Sequence, residues 1–168
     1  MGNPSLKEFA EASPDAFLDA VEANLERNDP PIMGLFQEED GSPFGSIYHA
    51  NLLWALELLA WSPDYIARAT ECLLRLAELD PKGTWSNRPS RSLRQIHLLW
   101  HSQTQVGLED RMDVLSNLRQ RYPQALWELT LDLYPKSSDI AHNSPTPRWR
   151  DLVGDGPQPV TRASSQEH

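Results

Sequence analysis

Two histidines four residues apart, His97 and His101, are the first residues whose spacing suggests chemistry. On a helix, imidazoles at i and i+4 can share one metal ion. A zinc protease needs a glutamate between them, in the order His-Glu-x-x-His, and here Leu98, Leu99 and Trp100 intervene. No third ligand lies nearby in sequence. The pair therefore predicts a partly buried His97 and a helix-terminal His101 near the negative end of the helix dipole, with no metal. Cys72, the one cysteine, falls on an apolar helical face beside Glu71 and predicts a buried thiol rather than a nucleophile. Glu38, Glu39 and Asp40 lack the alternating ligands of a calcium loop. No Gly-x-Ser-x-Gly elbow, phosphate loop or Gly-x-Gly-x-x-Gly fingerprint occurs. No catalytic residue and no cofactor are assigned.

What is left is contact chemistry. Lys82, Arg88, Arg91 and Arg94 form a basic run without an intervening acid, and Trp85 sits inside it. Arg91 and Arg94 are expected to open a helix, whose positive end would add to any affinity for an anion. The simpler expectation is that these arginines pair with acids of the first half and fix how the two halves stack. Of the six tryptophans, Trp54, Trp61, Trp100 and Trp127 fall at positions expected in the core. Trp85 and Trp149 lie in connectors beside arginines, where they offer a contact surface or pin loops to the body. The candidate surface is thus Trp85, Arg88, Arg91, Arg94, Arg148, Trp149 and Arg150.

The elements that must hold these residues all read as helices. Ile47 to Trp61 is apolar save for His49, Asn51 and Glu57, which share no broad face. A helix greasy nearly all round must be buried on several sides. At about 1.5 Å per residue it spans roughly 22 Å, too short for a bilayer. Ser13-Pro14-Asp15 and Ser62-Pro63-Asp64 are matching start signals of cap, proline and early acid, 49 residues apart. The first opens a helix carrying Phe17, Leu18, Val21 and Leu25. The second opens the most regular helix, with Ala69, Cys72, Leu73 and Leu76 inward and a Glu71–Arg75 pair outward. One further turn is expected over Ile32 to Phe36. Shorter helices follow from Ser92 to about Trp100, from Leu108 past Leu118, and from Pro123 to Pro135. No strand is expected. The chain divides into a loose helical lead-in (1–13), a helical domain (14–135) and an irregular, largely disordered tail (136–168).

In 168 residues with net charge −9 there is room for one domain with a sizeable core. A single cysteine permits no internal disulfide. No signal peptide is apparent near Met1, and Leu6 stands where a myristoylation motif needs Ser or Thr, so a cytoplasmic setting is expected. Residues 1–81 hold 15 acids and 4 bases, a balance of −11, whereas 82–168 hold 9 acids and 11 bases, a balance of +2. An acidic first half disfavours a general nucleic-acid partner, because phosphate neutralisation supplies most non-specific affinity.

The spacing of the two start signals approaches the period of HEAT-type helical repeats. Leu52 to Asp80, Trp85-Ser86-Asn87-Arg88-Pro89 and Pro147-Arg148-Trp149-Arg150 together resemble the helical-repeat segments of large bacterial multidomain proteins of the STAND NTPase, defence-associated kind. The resemblance covers roughly residues 14–151. It implies a helical module that senses or scaffolds, while the effector and NTPase parts have no counterpart in this sequence. The expected fold is all-α: antiparallel helix pairs, as a HEAT-like α-solenoid fragment or an irregular helical bundle, with an irregular C-terminal tail. The expected function is a non-enzymatic module that contacts a protein partner or neighbouring domains, with no membrane role. An anion or nucleic-acid module using Arg88, Arg91 and Arg94, and a small helical enzyme without a motif, are the alternatives.

Overall fold

A computed structural model describes residues 5–37, 45–134 and 144–148, with the backbone alone for 45–47. Among these residues there are seven α-helices, one 3₁₀ turn and no strand: α1 (Leu6–Ala12), α2 (Pro14–Leu25), the 3₁₀ turn (Pro31–Phe36), α3 (Gly45–Leu59), α4 (Ile66–Leu79), α5 (Pro89–His97), α6 (Leu108–Leu118) and α7 (Pro123–Leu133). The protein is all-α, as its periodicity predicts, and none of these helices is long and apolar enough to cross a membrane.

Proline sets several starts. Pro14, Pro89 and Pro123 each stand at the first turn of their helix, where a missing N–H costs nothing. The two Ser-Pro-Asp signals are nonetheless not equivalent. Ser13 occupies the N-cap position of α2, where its carbonyl accepts from Phe17 N and its side chain makes no capping bond. Ser62 instead closes a turn, with its hydroxyl accepting from Asp64 N and its carbonyl from Tyr65 N and Ile66 N, so α4 begins one turn later. α5 starts three residues before the expected Ser92 and stops at His97, because Leu98 is extended.

The expected central helix, α3, shares its place with α4. α3 packs against α1, α4, α5 and the 3₁₀ turn; α4 packs against α2, α3, α5, α6 and α7. A linear solenoid confines contacts to neighbouring repeats, so helices gathered round α4 make an irregular bundle. Leu53, Leu56 and Leu59 of α3 and Leu73, Leu74 and Leu76 of α4 form its fully buried centre.

The expected loose lead-in is instead a docked helix. α1 packs along α3 and buries Ala10 and Glu11 completely or nearly so. Two expected core tryptophans face outward: Trp100, because α5 ends before reaching it, and Trp127, because α7 buries only the face carrying Leu126, Leu129 and Leu133. Of the expected tail 136–168, the five described residues have no regular secondary structure.

Candidate functional site

The basic run does not act as one patch. Arg88 caps α5, donates to Asp80 Oδ1 at 2.9 Å and to the Trp85 carbonyl, and leans over the Trp85 ring. Arg94 lies in the last turn of α5, not the first, and its Nε donates to the Asp132 carbonyl at 3.0 Å. Lys82 lies 3.8 Å from Glu128. Arg88 therefore meets an acid of the first half, as the pairing expectation requires, while Arg94 and Lys82 turn to the second half. Arg91 lines a cleft that Arg88 also borders. Trp85 stacks on buried His49 at 4.4 Å, almost parallel, and His49 Nε2 donates to the Asn87 carbonyl. That arrangement pins the 80–88 connector to α3. Arg148 is exposed beside the cleft, whereas Trp149 and Arg150 lie outside the described residues.

The cleft itself is built by three helices and residues 144–148. α3 contributes Trp54, Glu57 and Leu58, which share one face at i, i+3 and i+4. α5 contributes Arg91, Ser92 and Gln95; α1 contributes Lys7, Glu8 and Glu11. It has two lobes, one of about 140 Å³ on the α5 side and one of about 490 Å³ on the α1 side. Trp54 and Ser144 line both, so Ser144 stands at the junction.

Several polar groups of the cleft are held by hydrogen bonds. Ser92 Oγ donates to Glu57 Oε1 at 2.6 Å. Burial pushes the Glu57 carboxyl up from the ordinary carboxylate range, against the opposing pull of that hydrogen bond and of the Arg91 charge. Gln103 Nε2 donates to Gln95 Oε1 at 2.7 Å, which fixes the amide so that its own oxygen accepts the Ser144 N–H. At the other end Glu11 Oε1 accepts the Arg148 N–H at 2.6 Å. Lys7 sits over the Trp54 ring at 5.3 Å. Ser144 Oγ is buried with no hydrogen-bond partner among the described residues.

Elsewhere the chemistry is structural. His97 is wholly enclosed, with Nε2 at 3.0 Å from Thr70 Oγ1, and burial together with the Arg111 charge pulls it down to about 3. His101 is exposed and off the helix, so the i,i+4 pair has no common face. Among the described residues no cluster could hold a metal ion. The Cys72 thiol is pushed up to about 12, chiefly by burial, and is protonated at any ordinary pH. Glu38, Glu39 and Asp40 lie outside the described residues. The expected Glu71–Arg75 pair is replaced: Arg75 reaches Glu78, and Glu71 takes Arg121 and the Tyr122 hydroxyl.

Sequence reasoning placed Trp54 in the core and assigned no role to Glu11, Glu57, Gln103 or Ser144. The one legible signal was Ser144-Pro145-Thr146-Pro147, in which every residue is a proline or precedes one. Comparison with known proteins adds no assignment: no family model, no curated protein and no solved structure matches the chain.

Proposed function

We propose that the chain is a non-enzymatic helical module that works through protein contacts in the cytoplasm, as a layer of a larger helical assembly. One observation carries this. On the outer face of α7, Trp127 and Leu131 stand at i and i+4 and are 61% and 52% exposed, and Tyr134, the residue that ends the helix, is 68% exposed. Two large apolar side chains on one helix face, continued by a third at its end, make a ridge shaped for the groove of another helix. Covering them would contribute roughly 3–5 kcal/mol. A self-pair covers two such ridges and so gains about 6–10 kcal/mol, against a cost of free association of about 4–15 kcal/mol, so the ridge alone holds a neighbouring helical layer only weakly. The resemblance to helical-repeat segments fits this role and supplies no residue for it.

A second copy serves as a stand-in for that layer. In sedimentation equilibrium from about 10 µM to 1 mM, wild type should associate weakly and reversibly, with Kd between high µM and mM. Trp127→Ser with Leu131→Ser should remain monomeric with an unchanged thermal melt. A wild type that stays monomeric to 1 mM, or a double variant that still associates, would overturn the proposal.

A further inference from the structure

We infer that the cleft between α1, α3 and α5 is a recognition groove for a proline-rich extended segment of a partner protein, and that Ser144–Arg148 is its resident stand-in. The inference does not depend on the α7 ridge.

Covalent geometry comes first. In Ser144-Pro145-Thr146-Pro147-Arg148 the prolines fix φ near −65°, and Ser144 and Thr146 are driven extended by the proline that follows each. Such a segment is preformed as polyproline II and satisfies none of its own backbone hydrogen bonds. Its N–H groups need outside acceptors, and two are supplied. Gln103 Oε1 takes the Ser144 N–H and Glu11 Oε1 takes the Arg148 N–H. At about 3.1 Å per residue these N–H groups stand roughly 12 Å apart, a spacing that an extended peptide meets and a helical one does not.

The acceptors belong to the frame and not to the segment. Gln103 and Glu11 are both buried, on the α5–α6 connector and on α1, and Gln103 is oriented by Gln95. A buried carboxylate is costly unless it is hydrogen-bonded, so Glu11 favours an occupant that brings an N–H. Trp54 and Leu58 line the same lobe as Pro145 and Thr146, so the segment borders a cavity that carries an aromatic side chain, the kind of surface that seats proline-rich segments. Glu8 and Glu11 line the lobe beside Arg148, and Glu11 accepts its backbone N–H. The resident segment also fits imperfectly. It leaves about 490 Å³ open beside it and the Ser144 hydroxyl unpartnered. A longer or bulkier proline-rich ligand would use that space.

The test uses the full chain and a fluorescent Ser-Pro-Thr-Pro-Arg peptide, followed by anisotropy. The resident segment competes at high effective concentration, so wild type should bind the peptide weakly. The full-length Pro145→Ala, Pro147→Ala variant, with a less preformed resident, should bind it about tenfold more tightly. A Ser-Ala-Thr-Ala-Arg peptide should bind that variant at least tenfold more weakly, and Glu11→Gln added to it should weaken the proline peptide severalfold. Equal binding by wild type and variant, or indifference to the prolines in the peptide, would overturn the inference. Hydrogen exchange on wild type keeps it testable if the double variant does not fold. Excess proline peptide should speed exchange at the Ser144 and Arg148 amides and leave the α4 amides unchanged; no change at the two amides overturns displacement.

Discussion

Two arginines tie helices together in this molecule, and they do so in opposite surroundings. Arg68 on α4 reaches across to α2, where it meets Asp15 at 3.2 Å, Asp19 at 2.5 Å and Glu22 at 2.8 Å. Its side chain is 30% exposed and two of its three acids are largely in water. Arg111 on α6 is 1% exposed and has no acid partner among the described residues. Its Nη1 donates to the carbonyls of Ile96 and Leu98, the end of α5, where the helix leaves acceptors unfilled. The first cluster has ideal charges in a high dielectric. The second has a lone cation in a low one, offset by carbonyls and a helix C-terminus. Counting ion pairs would rank Arg68 first; burial ranks Arg111 first.

Removing the buried cation is therefore the severest way to break that ranking. Arg111→Ala leaves two carbonyls without a donor and opens a cavity in the core, which costs about 3–5 kcal/mol. In a chain of this size the thermal midpoint falls roughly 2–4 °C for each kcal/mol. Arg111→Met refills the space but not the hydrogen bonds and should fall between the two. An Arg111→Ala protein with the wild-type urea midpoint would remove Arg111 from its place above Arg68.

His97 sharpens the same contrast through pH. Its folded value of about 3 lies below the ordinary 6.5, so below pH 6.5 the unfolded chain binds a proton that the folded chain does not. Stability from this group is complete above pH 6.5 and is lost as pH falls toward 3, at about 1.4 kcal/mol per pH unit. Glu57 acts in the opposite sense. Its raised folded value favours the fold below pH 4.5, and that contribution fades as pH rises through the folded value. Comparing urea midpoints of wild type and His97→Leu from pH 7.5 to 4.5 isolates the histidine. Wild type should lose stability steadily below pH 6.5 while the variant changes less; parallel curves would mean that His97 is not held neutral.

How much of this was written in the sequence follows from where each signal lives. The α4 stripe of Ala69, Cys72, Leu73 and Leu76 was legible because one face of that helix is polar enough to show the period. Trp127 was not, since an apolar side chain at helical spacing looks the same whether a neighbour covers it or none does. Arg111 left a signal that was overlooked: it falls between Leu108, Leu115 and Leu118 on the inward stripe of α6, where a charge is out of place. The cleft was least legible of all. Glu11, Glu57 and Gln103 are ordinary surface types, and only packing across α1, α3 and α5 places Glu11 and Glu57 in one groove and brings Gln103 to Ser144.

The smallest expected effect is the one that tests the exposed half of the comparison. Arg68 is held charged well above the ordinary arginine value, mainly by its hydrogen bond to Glu22, which invites a large estimate of its worth. Solvent argues otherwise. Exposed ion pairs contribute about 0–1 kcal/mol each, and ordering one long side chain against three acids costs entropy that the pairs must offset. Asp15, Asp19 and Glu22 also repel one another on α2, so the arginine relieves a strain as well as forming bonds. Arg68→Ala should therefore destabilise by roughly 1 kcal/mol in low salt, and the loss should shrink toward zero in about 1 M salt, where the Debye length is near 3 Å. Arg111→Ala should show no such salt dependence. If Arg68→Ala costs as much as Arg111→Ala, or if its cost survives high salt, the surface network is worth more than its exposure allows, and the difference between the two arginines is one of geometry and not of burial.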